Sequence, residues 1–363
     1  MAKTKRQSGI ELLRILAMLQ IIFLHISQYG NLHHTAMESE SIYRFIVPII
    51  WSLCRAPVDV FIMISGYFMI TSKFDINKTF DRAKKIYGAM IFYSLTISII
   101  FFIVTPNLIT TPNVIKAFTP LLSKTWYFLS NYIIILLMSP FLNKMLVSLT
   151  KKQYLYFAGI VFAVMSVWST IANIGGLDKI FSIEKIVDPY YGKSLGGFLL
   201  MYIIGGYIRL FFPQEVFEKR KAKLRYLIIF FILCATDLFL AYFIKQYKDV
   251  YGMFNNPLVV FESVMLIMFF RDLKFSSKFI NTIAGTTIGI YAIHEHHFVR
   301  KWLWSIFTFK DKSLYDSPFL IIRIIAVCFI VFIGCCILEI IRLKIFSIFS
   351  KFVKTIKLKF QKG

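Results

Sequence analysis

Apolar stretches of about 20 residues recur along the whole chain, with short polar segments between them. That length spans a bilayer as an α-helix, so the pattern predicts a membrane protein built of helices. Ten stretches are read, at about 10–29, 45–72, 86–105, 126–148, 154–172, 195–212, 226–244, 257–271, 280–299 and 318–341. The second is long, and Pro57 is expected to kink or break it, because proline removes a helical donor and clashes with the preceding turn. The eighth is the least secure on length. The fold class is therefore all-α, a polytopic transmembrane bundle of about ten helices. Neither a soluble domain nor an internal repeat is visible. Residues 1–341 read as one membrane domain and 342–363 as a basic tail. The tail, "RLKIFSIFSKFVKTIKLKFQK", alternates basic and apolar residues, a pattern suited to the inner membrane surface. The first stretch is too long for a cleavable leader and contains Arg14, so it is expected to remain as the first span.

Composition agrees. Of 363 residues 58% are hydrophobic and 39 are Phe, more than a soluble core of this size needs. The net charge is +23, from 42 Lys plus Arg against 19 Asp plus Glu. In a soluble chain this would point to nucleic acid; in a membrane protein, basic cytoplasmic loops and anionic lipid account for it, and no nucleic acid is expected. With the N-terminus inside, the cytoplasmic segments gather Lys3, Lys5 and Arg6, then Lys73 to Lys85, then Lys144 to Lys152, then Lys219 to Arg225, then Arg271 to Lys278, and the tail. The opposite segments hold fewer and carry the acids Asp178, Glu184 and Asp188. Both termini are thus expected in the cytoplasm. The five cysteines lie in apolar stretches without a CxxC spacing, and neither a disulfide nor a thiolate metal site is expected.

The first stretch, "GIELLRILAMLQIIFLHISQYG", contains Glu11, Arg14 and His25. His25 follows Arg14 by eleven helical steps, which at about 100° per residue is within about 20° of three full turns and about 16 Å along the axis. The two share one face, and Glu11 stands one turn before Arg14 at pairing distance. Taken singly, Arg14 can snorkel to the interface and His25 can be a hydrogen-bonded core histidine. Aligned on one face, they favour a wet or functional cavity.

An Arg followed eleven residues later by His in "ELLRILAMLQIIFLHIS" resembles the first helix of the acyltransferase family 3 membrane proteins. Further likenesses follow in order: "DVFIMISGYFMI", "KTFDRAKKIYGAM", "TWYFLSNYIIILLMSPFLNKML", "FLLMYIIGGYIRL" and "TIGIYAIHEHH". They cover nearly the whole chain. One large branch of the family carries a Glu in the helix that begins at Trp126; here Ser130, Asn131 and Tyr132 stand instead, so no role for that carboxylate is carried over. The resemblance implies transfer of an acyl group, usually acetyl, from cytoplasmic acyl-coenzyme A to a hydroxyl of a carbohydrate or lipid-linked glycan. The leading reading is a surface or exported polysaccharide at a bacterial plasma membrane; the alternatives are a small-molecule or lipid acceptor, or a glycan transporter or flippase.

The residues permit that chemistry. His25 is the candidate base for the attacking hydroxyl, and Arg14, held by Glu11, a candidate cation for positioning the donor. Arg82, Lys84 and Lys85 can hold the phosphates of acetyl-CoA, although positive-inside charge is the better explanation of any single one of them. Ser65, Gly66 and Tyr67 can allow close helix approach beside the coenzyme path. Arg55 and Asp59, four residues apart, are expected to pair or to contact substrate. Trp126, Tyr127 and Tyr132 can stack on sugar or coenzyme, or simply be interfacial aromatics. In "HEHH" (294–297) no further ligand is evident, so no metal is expected and His294 is read as lining the cavity.

Overall fold

The computed structural model describes residues 8–123, 125–180, 191–212 and 220–360, and their regular structure is helical throughout. Lys3, Lys5, Arg6, Glu184, Asp188 and Lys219 lie outside the described residues, as do the side chains of Asp178 and of the last helix beyond Ile348.

Helix α1 (Ser8–Tyr29) is followed by α2 (Leu32–Glu38), α3 (Tyr43–Leu53), α4 (Pro57–Met69), α5 (Ile76–Val104) and α6 (Thr111–Phe118). Next come α7 (Tyr127–Val147) and α8 (Lys151–Phe162), which runs through a π-helical segment, Ala163–Trp168, into α9 (Ser169–Asn173). The chain continues with α10 (Leu195–Phe211), α11 (Arg220–Phe243), α12 (Lys248–Tyr251), α13 (Pro257–Arg271), α14 (Lys278–Ala284), α15 (Thr287–His294), α16 (His297–Ile306) and α17 (Leu320–Phe360).

Seven helical stretches among the described residues are long and apolar enough to cross a membrane: 8–29, 43–69, 76–104, 127–147, 151–173, 223–243 and 320–348. They coincide with seven of the ten expected spans. The other three are shorter. The 195–212 stretch is a helix of 17 residues, and 257–271 a helix of 15. The 280–299 stretch is not one helix at all but α14, α15 and the start of α16. The protein is thus a polytopic helical membrane protein, with fewer full-length spans than the ten expected. Helix α17 runs unbroken from the last span through residues 342–360 of the basic tail.

Local chemistry sets the breaks. Pro57 occupies the first turn of α4, where its missing N–H costs nothing, so the 43–69 stretch breaks at Cys54–Ala56 rather than kinking in mid-helix. Asp75 caps α5 by accepting from the Lys78 amide, and Thr150 with Gln153 forms a capping box on α8.

Helix α1 is the axle of the bundle. It packs against α4, α13, α14, α15 and α17, and Ile10, Leu13, Ala17, Ile22 and Ile26 are buried along it. Helices α4 and α10 press backbone to backbone. A Cβ on Gly66 would strike the Tyr202 carbonyl, and one on Gly205 would strike the Met63 carbonyl. Close approach through small residues is how helices pack where lipid offers no hydrophobic driving force between them.

Candidate active site

His25 stands in the last two turns of α1, and the end of α15 brings His294 and Glu295 against it. The His25 Nδ1 atom is 3.1 Å from His294 Nε2 and 3.2 Å from Glu295 Oε2. His294 is fully buried and its Nδ1 is 2.6 Å from the Ile290 carbonyl one turn back. A carbonyl only accepts, so His294 carries its proton on Nδ1 and presents a lone pair at Nε2. His25 then donates from Nδ1 to His294, with Glu295 Oε2 beside that nitrogen as a charge neighbour, and its own Nε2 keeps the lone pair. The tautomer follows from the hydrogen-bond partners alone.

Glu295 is held in turn. Its Oε1 accepts from Arg300 Nη1 at 2.7 Å, and Arg300 lies over the Tyr29 ring, one turn after His25, at 4.7 Å. The junction between α15 and α16 makes this possible. The helix ends at His294, so Glu295 swings toward α1 while Arg300 returns from α16 to meet it. His25, His294 and Glu295 offer ligand atoms all within 4.8 Å of one another, a spacing that can hold a metal ion. The sequence reading found no further ligand for "HEHH". The fold supplies one in His25, and it separates His294 from His297 by the helix break, so those two do not share a face.

The cluster forms one wall of a cavity of about 90 Å³ lined by α1 (Met18, Ile21, His25, Gln28), α4 (Val58, Phe61), α7 (Tyr127, Phe128), Lys193 and α15 (Thr287, Tyr291). Lys193 places its ammonium 5.1 Å from the Phe254 ring and 5.9 Å from the Tyr127 ring. The cavity is mainly apolar, with a few converging polar groups, as small-molecule sites usually are.

The comparison with known families bears on this directly. A model described as an acyltransferase domain, that of acyltransferase 3, matches residues 7–340. The chain belongs to the acyltransferase 3 family. It is therefore a multi-pass membrane acyltransferase. No curated protein and no solved structure matches the chain.

The structure distributes the other sequence-predicted residues unevenly. Arg14 pairs with Glu11 at 3.2 Å, as expected from one turn of separation. Arg14 does not line the cavity; Met18 and Ile21 fill the face between it and His25. Arg14 lies instead beside Phe68 near the end of α4, with its guanidinium 5.8 Å from that ring. Close by, Arg209 donates to the Tyr67 hydroxyl at 3.1 Å. At the same end of the bundle, Arg82 lines a cleft of about 670 Å³ with Lys73, Lys78, Thr79, Ser139 and Asn143. Lys84 and Lys85 are exposed on α5 and do not line it. Gly66 serves the contact with Tyr202, and the Ser65 hydroxyl donates to Phe61 O at 3.0 Å within its own helix.

Arg55 corrects an expectation. It lies in the break before α4, where four-residue spacing no longer aligns side chains, and it pairs with Asp237 of α11 at 3.1 Å rather than with Asp59. It also donates to the Met253 carbonyl at 2.9 Å and lies against both the Trp51 and Tyr251 rings, which pack on each other. The Arg55 pair, the Tyr247 hydroxyl on Asp237 and the Asn256 amide on Tyr247 form a buried polar brace joining α3, α11 and α13. Of the three aromatics, Tyr127 lines the cavity, Trp126 packs on His296, and Tyr132 stacks on Phe128.

Sequence reasoning missed Glu295, Arg300, Tyr29 and Lys193 as parts of the site. Tyr29 was readable, since it lies four residues after His25 on the same face. Glu295 was in the quoted "HEHH". Arg300 reaches it across a helix break, and Lys193 comes from a distant connection, so neither carries a local signal.

Proposed function

We propose that the chain transfers an acetyl group from cytoplasmic acetyl-CoA to a hydroxyl of a surface or exported polysaccharide, or of its lipid-linked precursor, in a bacterial plasma membrane. One observation carries this reading. His25 lines a cavity with Nε2 bearing a lone pair, its Nδ1–H directed at His294 and a carboxylate oxygen of Glu295 3.2 Å from the same nitrogen.

In the proposed step the acceptor hydroxyl attacks the thioester carbonyl carbon while His25 Nε2 takes the hydroxyl proton. The new C–O bond forms, the carbonyl electrons move to oxygen, and the intermediate collapses by breaking the C–S bond. The imidazolium returns the proton to the departing sulfur, giving the ester and coenzyme A. Glu295 faces the imidazolium and stabilises its charge, as the carboxylate does in acyl-transfer triads. The Lys193 ammonium lies in the same cavity, where it can balance charge on the tetrahedral oxygen. Arg82, Lys73 and Lys78 supply positive charge for coenzyme phosphates at the Arg14 end of the bundle. That end is read as cytoplasmic, with both termini beside it.

A metal-dependent reading has a specific observation behind it, the spacing of His25, His294 and Glu295. Electrostatics favours the metal-free one. Glu295 is already met by the Arg300 guanidinium at 2.7 Å, and a second cation on the same carboxylate would be repelled by the first.

The test is acetyl-CoA turnover by purified protein in nanodiscs, with the glycan of complemented and deletion strains analysed by mass. Acetyl-CoA-dependent ester formation that survives exhaustive chelation supports the reading. A protein that moves glycan without consuming acetyl-CoA overturns it, and loss of turnover on chelation with recovery on zinc overturns its metal-free form.

A further inference from the structure

The opposite end of the bundle, beyond Tyr29, is also basic. Two clefts flank α16 there. One, of about 1230 Å³, is lined by Lys116, Arg300, Lys301, His297, Asn113 and Trp302 among others. The other, of about 900 Å³, is lined by Gln28, Tyr29, Arg300, Lys301, Trp304 and Lys310 among others. No Asp or Glu lines either cleft. Lys116, Lys301 and Lys310 are exposed, and none is ion-paired to a carboxylate among the described residues. Positive-inside charge accounts for basic residues at one end of a bundle only, and Lys73, Lys78 and Arg82 already occupy the Arg14 end. The cations beyond Tyr29 need another cause.

Their position supplies one. Gln28 and Tyr29 line both the second cleft and the central cavity, so these two side chains form a wall that the cleft and the His25 cavity share. Arg300 links the two clefts to the site, because its partner Glu295 is the carboxylate beside His25. Trp302, exposed on α16, adds a flat apolar face of the kind that sugar rings pack on.

We propose that these clefts receive the acceptor and that the acceptor is an acidic glycan, carrying a phosphate or carboxylate on the reacting sugar or its immediate neighbour. This rests on the acyl-transfer reading above and adds the acceptor's chemical class. The three lysine ammonium groups, with no acid lining either cleft, match a phosphate or carboxylate and leave a neutral sugar without a charge partner.

The experiment uses the full chain in nanodiscs and three probe acceptors: octyl glucoside, its phosphate ester and octyl glucuronide. Acetyl transfer is measured with each, and binding is measured separately without donor by tryptophan fluorescence. The two acidic probes should show an apparent KM at least ten-fold below the neutral one, with a preference that shrinks as salt rises. The triple variant Lys116→Gln, Lys301→Gln, Lys310→Gln should lose that preference while the KM for acetyl-CoA stays unchanged. Equal KM for acidic and neutral probes, or a triple variant that keeps the preference, overturns the proposal. Neutral and anionic nanodiscs run in parallel. If the lysines alter dependence on anionic lipid but not on probe charge, they are headgroup contacts and the proposal fails. If no probe is acetylated yet acidic probes still bind through the lysines, the acyl-transfer reading fails and the charge selectivity stands.

Discussion

His25 and His294 meet nitrogen to nitrogen at 3.1 Å, and the second imidazole fixes the tautomer of the first. Because the Ile290 carbonyl takes the His294 Nδ1 proton, His294 can only accept from His25. The active nitrogen of His25 is thereby selected by a backbone carbonyl one residue removed from the chemistry.

Replacement of His25 by Gln keeps a polar side chain but removes the base. Acetyl transfer should fall by about 10²-fold or more, with insertion, thermal stability and donor binding retained. A well-folded His25→Gln protein with near-normal transfer would remove His25 from this role.

The two positioning residues should separate by variant. His294→Gln retains an acceptor for the His25 Nδ1–H and should lose about ten-fold in kcat; His294→Leu should lose about 10²-fold. Glu295→Gln removes the charge facing the imidazolium and should lower kcat with little effect on the KM for acetyl-CoA. A purely structural role for Glu295 would appear instead as a lowered melting temperature with kcat per folded molecule unchanged.

Donor binding should depend on Arg82 more than on Lys84 or Lys85. Only Arg82 lines the cleft at the Arg14 end. Loss of one charge-assisted contact should cost about 1.5–3 kcal/mol, read as a rise in KM for acetyl-CoA in Arg82→Ala. Lys84→Ala and Lys85→Ala should leave it near the wild-type value. Reporter fusions at Lys78 and at the C-terminus should both report the cytoplasm; an outside signal at Lys78 would separate this cleft from the donor.

Arg55 should matter for folding and not for the chemical step. Removing one partner from the buried Arg55–Asp237 pair leaves an uncompensated charge, so Arg55→Ala should destabilise by about 3–5 kcal/mol. Thermal unfolding in detergent reads this, and Arg55→Ala protein rescued at low temperature should retain its KM for acetyl-CoA.

Gly66→Ala and Gly205→Ala test the seam between α4 and α10. Each added methyl meets a backbone carbonyl of the facing helix, which cannot rotate away. Overpacking of this kind should cost about 1–3 kcal/mol each, read as a lower melting temperature. Gly88→Ala, where nothing lies within 4 Å of the new Cβ, is the control and should not destabilise.

The sequence by itself determined the all-helical membrane class, the run of α1 from Ser8 to Tyr29, the break before Pro57, the shared face of Arg14 and His25 and the Glu11–Arg14 pair. These are local facts, fixed by hydropathy, proline geometry and helical period. Only the tertiary structure decided what those residues face. It set Arg14 beside Phe68 near the end of α4 and His25 in the central cavity, so the shared face serves two separate surroundings. It gave Arg55 a partner 182 residues away on α11. It broke the 280–299 stretch into short helices, and that break turned Glu295 toward His25. A charged group's partner in a bundle is set by which helix lies alongside, and spacing along one helix carries no information about its neighbours.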